Sequence, residues 1–301
     1  KMNWKRMQTE SQQLNTEEEI PFILQSFVGI YHSLNLLKQD TSFINYKNRV
    51  GIKYDFSAKQ SFTGFWENET TNQLSTENLS KSNLTSINGN QNTYGLNLLI
   101  NWLDYKYNPR KGFYLMLETK SGLKKIIGNK ENNKIVIPIS ETNEIESSLF
   151  VPEKSMVYQG EIQIEGYLPI WRLISLKLAN NSGFKFNDYL LDNDLFRLGG
   201  FRLLRGFDQQ SIFATNYSIF TTELKILFEE NSFLNLFFDQ SFIEKSTITE
   251  KKTNQTSAFG AGINFQAKPG IFSISYALGR FEDTRFNFSS AKIHFGFINL
   301  F

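Results

Sequence analysis

LGGFRLLRGFD, residues Leu198 to Asp208, decides how this chain is read. Gly199, Gly200 and Gly206 give a loop tip tight backbone, and Arg205, Gly206 and Phe207 form an Arg-Gly-Phe at its centre. On either side, Trp171 to Ala179 and Tyr217 to Phe228 alternate apolar and polar residues. A period of two places each set on one face of a strand. The stretch is therefore a long glycine-rich excursion between two strands, a feature with no obvious use in a soluble enzyme.

The alternation spreads outward from that loop. Glu161, Gln163 and Glu165 oppose Ile162, Ile164 and Leu168, and Glu223 and Lys225 oppose Leu224 and Ile226. Asn235 and Asp239 oppose Leu234, Leu236 and Phe238, and strands follow at Phe259 to Gln266, Phe272 to Gly279 and Lys292 to Phe301. A soluble barrel would hide its apolar face, and a small lumen could not bury so many polar groups without cost. Polar inside and apolar toward lipid is the cheaper arrangement. It predicts a lipid face that includes Ile162, Ile164, Leu224, Ile226, Leu236, Phe238, Phe272, Ile274, Phe295 and Phe297.

The connections carry a second signal. Tight turns at SAKQ (57–60), NPRKG (108–112), Pro169, EENS (229–232) and AKPG (267–270) take turns with longer segments. Those are 72–90, 121–156, 183–216, 244–256 and 281–291. Short turns at one rim and long loops at the other mark a transmembrane β-barrel. Weaker strands near 3–10, 20–37, 42–56, 60–72, 92–107 and 111–120 bring the count to about 13. Single-chain bacterial barrels usually have an even number of strands. The chain opens KMNWKRMQTE, without the apolar core of a signal peptide. The odd count means strands missing before Lys1 or one strand misjudged, and the opening means a mature chain or one missing its front end. Together they lead to the expectation that the barrel is incomplete in this chain.

Composition bounds the function. Lys plus Arg is 32 against 30 for Asp plus Glu in 301 residues, so net charge gives no support to nucleic-acid binding. There is no cysteine, hence no disulfide framework and no thiolate zinc site. Mean hydropathy is −0.34 and no apolar run is long enough for a membrane helix, yet Phe numbers 29 and Tyr 12. Only alternate residues of a membrane barrel face lipid, and aromatics gather at its interfaces. His32 and His294 are the only histidines, and G-x-S-x-G, P-loop and G-x-G-x-x-G patterns are absent. No catalytic, metal or cofactor residue is expected.

From about Phe43 to Phe301 the chain resembles the superfamily of outer-membrane barrels that includes BamA, TamA and the two-partner-secretion transporters. Four landmarks occur in order. LDYKYNPRKGFYLMLETKSG (Leu103 to Gly122) is similar to the family's D-x-x-x-N-P-x-x-G-F turn and strand. LGGFRLLRGFD is similar to its inward-folded loop motif. LNLFFDQS (Leu234 to Ser241) resembles a strand with an inward Asp, here ending in Ser where the family often has Gly. GAGINFQAKPGIFSISYALGRF (Gly260 to Phe281), with KIHFGFINLF, resembles its last three strands. The Asn- and Lys-rich composition looks like members from Bacteroidota.

The resemblance implies a 16-strand type of barrel occupying residues 1–301, without its first strands or the periplasmic POTRA domains. It places the loop in the lumen with Arg205 paired to an acidic group, for which Asp239 has the inward parity. Glu223 and Glu161 are candidate second partners, and Phe207 is expected to pack on the lumen wall. From the residues alone, a solvated Arg205 and ordinary turn glycines also fit. Phe301 serves as the terminal assembly signal or as a plain strand end. The implied function is a protein insertase or translocase of the Gram-negative outer membrane, without chemistry. Lipopolysaccharide, phospholipid, client proteins and accessory envelope subunits are its expected partners. The alternative is a barrel anchoring a patatin-like catalytic domain or a passenger encoded upstream. The loop motif disfavours a passive porin.

Overall fold

Alternating sequence becomes one wide antiparallel sheet in the computed structural model. It describes residues 2–6, 11–39, 42–74, 88–127, 134–138, 146–150, 152–248 and 250–299. The first half of the wall is β1 (Met2–Arg6), β2 (Gln12–Ile20), β3 (Val28–Gln39), β4 (Phe43–Ser57), β5 (Gln60–Gln73), β6 (Gly89–Asn101) and β7 (Gly112–Ile126). A separate hairpin follows, β8 (Lys134–Pro138) with β9 (Glu146–Phe150). The wall resumes with β10 (Lys154–Trp171) and β11 (Ile174–Phe186). A second hairpin, β12 (Phe196–Leu198) with β13 (Ile212–Ala214), interrupts it again. It ends with β14 (Asn216–Leu227), β15 (Phe233–Ser246), β16 (Lys251–Ala267), β17 (Gly270–Phe281) and β18 (Lys292–Asn299). The order is β1 to β7, β10, β11, then β14 to β18, fourteen strands among the described residues, with β1 and β18 at its two ends. The strand beyond the expected thirteen or so is β2.

Burial follows parity. Glu223, Lys225, Asn235 and Asp239 are buried, while Ile226, Leu236 and Phe238 between them are exposed. Ile274, Phe295 and Phe297 are exposed as well, and Ile162, Ile164, Leu224 and Phe272 are half-buried. Polar side chains line the inside, and apolar ones coat the outside as a lipid-facing band. This is the wall of a transmembrane β-barrel, open between β1 and β18.

The two rims differ as the sequence predicts, with three corrections. The tight turn expected at 108–112 is the end of a longer connection, 102–111, because β6 stops at Asn101. At one rim Ala58–Lys59, Arg172–Leu173 and Lys268–Pro269 are two-residue turns. The tight connection expected at Pro169 is thus displaced to Arg172–Leu173. Pro169 itself lies in β10, beyond the last rung to β7 at Tyr167, where a missing N–H costs little. At the other rim, the long loop expected over 244–256 is mostly strand. Pairs such as Glu244–Thr253 and Lys245–Lys252 extend the ladder to a short turn, closed by Thr247 N–H donating to Glu250 C=O at 2.8 Å. Strands of 9–11 residues already span the bilayer. Beyond it, the ladder continues without apolar alternation.

Candidate functional site

The excursion 187–215 between β11 and β14 folds into the lumen, and Arg205 stands at its centre. The guanidinium grips Asp239 of β15 in two places, Nε to Oδ2 at 3.1 Å and Nη2 to Oδ1 at 3.0 Å. The Arg205 backbone N–H also donates to Asp239 Oδ2 at 3.1 Å. Nη1 donates to Glu223 Oε2 of β14 at 2.6 Å, and the guanidinium carbon lies 3.5 Å from the centre of the Phe237 ring. Thr221 Oγ1 donates to Asp239 Oδ1 at 2.8 Å, which orients that carboxylate. Burial disfavours the charged guanidinium, but the attraction of Asp239 and Glu223 more than compensates and holds its pKa above the ordinary value. Bidentate charge-assisted bonds of this kind fix a geometry as well as a distance.

Glycine makes the approach. Gly206 has φ +94°, and a Cβ there would stand 2.7 Å from the backbone nitrogen of Gly279 on β17. Gly279 answers in kind, since its own Cβ would lie 2.6 Å from the Gly206 carbonyl oxygen. Two bare backbones touch, and neither side accepts a side chain. Gly199 and Gly200 share the left-handed region at φ +104° and +112°. Phe207 packs edge-on against Phe281, centroids 5.3 Å apart. It joins Leu198, Leu204, Ala214, Ile219, Ile243 and Ala258 in a small apolar core between loop and wall.

The loop reaches both ends of the sheet. Lys292 of β18 donates to Asp208 at 2.8 Å, and the Phe201 ring lies beside that of His294 on the same strand, centroids 6.3 Å apart. Across the lumen, Gln210 Nε2 donates to Gln13 Oε1 of β2 at 3.0 Å, and Arg197 bonds Gln39 of β3. Arg197 sits between the rings of Phe43 and Phe213, 5.2 Å from each. Burial pushes its pKa down to about 10 against the weaker pull of Asp192.

The structure brings Arg205 together with Asp239 and Glu223 and leaves Glu161 out. Register explains this: Glu161 pairs with Gly183, which pairs with Tyr217, two inward positions nearer the long-loop rim than the Asp239 level. There Glu161 accepts from Gln159 Nε2 at 2.9 Å. The β10 carboxylate that shares a lumen cavity of about 340 Å³ with Arg205 is Glu165, which pairs with Lys177 at 3.2 Å. Phe301 lies outside the described residues.

Sequence reasoning missed a second centre on the opposite wall. Arg49 of β4 donates to Glu67 of β5 at 2.8 Å and bidentately to Glu118 of β7 at 2.9 and 2.7 Å. Lys120 Nζ reaches the other Glu67 oxygen at 2.5 Å, and the Arg49 guanidinium carbon sits 4.0 Å over Phe65. The signal was present as inward parity: Lys47, Arg49, Lys53 and Asp55 alternate with Tyr46, Val50, Ile52 and Tyr54. Among the described residues, no group of His, Asp and Glu could hold a metal ion.

The sequence matches the Omp85 superfamily domain over residues 9–296. No curated protein sequence matches it. Among solved structures, the chain is similar to BamA from Haemophilus ducreyi lacking POTRA domains 1–3, with a TM-score of 0.65 at 14% identity. That likeness covers 95% of this chain and 61% of the BamA chain, so this chain spans less than two thirds of its neighbour. CdiB from Acinetobacter baumannii follows at TM-score 0.47 and 13% identity, covering 98% of this chain and 57% of that one.

Proposed function

The chain belongs to the Omp85 superfamily of outer-membrane β-barrels, and from that premise we propose that it serves protein insertion or translocation across the outer membrane, residues 1–301 acting as one barrel domain. The observation that carries the reading is the inward loop. It is pinned at Arg205 to β14 and β15, and it also contacts β18 on one side and β2 and β3 on the other. A loop so placed braces the lumen and spans the open edge of the sheet from within. Client polypeptide enters or leaves past that brace, and no bond is made or broken. Lipid and accessory envelope subunits complete the setting.

Breaking a desolvated guanidinium–carboxylate pair by removing one partner costs about 3–5 kcal/mol, because a charge is left unpaired. The wall, held by its backbone ladder, survives that loss. The test reconstitutes the full-length protein in liposomes and follows insertion of an unfolded barrel client. Wild type inserts the client, while D239N and the D239N/E223Q double variant insert it poorly, although both remain folded by heat-modifiability on gels. Full insertion by the double variant overturns the proposal and leaves a barrel that only anchors.

A further inference from the structure

We propose that a neutral carboxamide patch on the outer wall, built from Asn48, Asn68, Asn90, Asn92 and Thr70, is a contact site for the sugar headgroup of an outer-leaflet glycolipid. The inference rests on the outer-membrane placement of the barrel, independently of what the lumen does.

The patch shares its face with lipid-exposed residues. Asn68 and Thr70 have the parity of exposed Phe62 and Trp66 on β5, Asn90 and Asn92 that of Tyr94 and Leu96 on β6, and Asn48 that of Val50 and Ile52 on β4. Register joins the strands, with Asn48 opposite Asn68, Asn68 opposite Asn92 and Thr70 opposite Asn90. The side chains bond one another: Asn68 Nδ2 to Asn92 Oδ1 at 2.9 Å, Asn92 Nδ2 to Asn90 Oδ1 at 2.7 Å, and Asn90 Nδ2 to Thr70 Oγ1 at 2.9 Å. Each carboxamide has two donors and two lone pairs, so these bonds leave capacity facing outward.

Depth selects the layer that meets the patch. A carboxamide turned into hydrocarbon costs on the order of 2–7 kcal/mol, so a cluster of four marks where the wall has left the acyl chains. From Phe62 to Asn68 and from Phe56 to Asn48 a strand tilted like those of other outer-membrane barrels climbs roughly 16–21 Å, close to the top of an apolar band ~25 Å tall. The patch lies at the long-loop end of these strands, next to the β5–β6 connection.

Chemistry selects the ligand within that layer. The outward positions of β4, β5 and β6, from Tyr46 to Phe56, Phe62 to Asn72 and Asn90 to Ile100, hold no Asp, Glu, Lys or Arg. A phosphate site needs a cluster of cations, which these positions lack. The one imidazole beside them, His32 of β3, is engaged, its Nε2 bonded to Asn48 Oδ1 at 3.0 Å and its Nδ1 facing Glu18 at 3.8 Å. Amides and a hydroxyl suit the paired hydroxyls of a neutral sugar. Tyr94, 70% exposed beside Asn92, and Trp66 beside Asn68 offer ring faces for the apolar side of a pyranose. Elsewhere on the outer wall the polar contacts are smaller and carry one carboxamide each: Asn180 donates to Ser218 at 3.0 Å and accepts from Ser182 at 2.9 Å, and Ser257 donates to Gln240 at 2.7 Å.

The experiment places the full chain in phosphatidylethanolamine nanodiscs containing equal amounts of lipopolysaccharide with its core sugars and of lipid A without them. Detergent-released protein is then counted by native mass spectrometry for each bound species. Wild type retains the core-bearing lipid in about tenfold excess, the scale of one to two net hydrogen bonds. The N68L/N90L/N92L variant brings the ratio to near one, and N68Q/N90Q/N92Q restores part of it. Q240L, on the far wall, leaves it unchanged. Equal retention of both lipids by wild type, which signals phosphate or acyl recognition, overturns the proposal. So does an unchanged ratio in the leucine variant, or a self-crosslink through N68C that shows a second copy on the patch.

Discussion

Two arginines on opposite walls use the same chemistry for different ends. Arg49 and Arg205 each bond two acidic residues, one of them bidentately, and each lies over a phenylalanine ring, at 4.0 Å and 3.5 Å. Arg49 belongs to β4 and its partners to β5 and β7, so its bonds tie wall to wall. Arg205 arrives on the excursion 187–215, so its bonds tie a separable element to the wall. The first is part of the barrel's rigidity. The second can be lost while the barrel stands.

The comparison breaks first at Asp239. D239A leaves Arg205 with only Glu223, and loop docking loses about 3–5 kcal/mol. Protease cleavage within 187–215 rises by orders of magnitude, while the intact wall keeps its heat-modifiability. If the wall melts together with the loop, the two centres are not separable. R49M comes next. It strips Glu67, which is 1% exposed, of one cation but leaves Lys120, so the cost is about 2–3 kcal/mol. Here the thermal midpoint in detergent falls and protease protection of the loop does not change.

G206A has a smaller effect of about 1–3 kcal/mol, because a Cβ at φ +94° meets the Gly279 backbone. Hydrogen exchange at the loop tip quickens, and G279A reproduces the phenotype from the wall side. Q210A removes a single neutral bond to β2, worth about 0.5–1.5 kcal/mol. Spin labels at Glu18 and Ile293 then report a broader distance distribution across the open edge. The smallest effect concerns the turn at Glu250. The bond from Lys245, at 2.8 Å, keeps this carboxylate below its ordinary pKa. A depressed carboxylate stabilises above its unfolded-state value and loses that contribution as pH falls through the folded one. Amide exchange in 247–250 therefore quickens on acidification below about pH 4.5, and E250Q abolishes the dependence.

Strands inside the bilayer were legible because lipid on one side and water on the other force a period of two. β10, β11 and β14 to β17 could be read from that alone. β2 was not, since QQLNTEEEI carries three consecutive glutamates and too few apolar residues to alternate. The extended ends of β15 and β16 were misread as loop because, above the bilayer, the ladder holds without apolar faces. Arg205, Asp239 and Glu223 could be named in advance from motif and parity. Gly279 could not, because a small inward residue on a strand looks ordinary until another backbone is laid against it. Glu161 shows the limit of parity, which gives the face of a strand but not the height along it.

The loop's contacts also impose an order of events on folding. Gln13 and Gln210 are 197 residues apart and Gln39 and Arg197 158, whereas the strand-to-strand turns join near neighbours. Long chain separations carry the largest closure entropy, so contacts across them form last. Asp208 and Phe201 must moreover wait for β18, the final strand. Docking of the loop is thus a late event: its full set of contacts forms only when β2, β3 and β18 already stand in place.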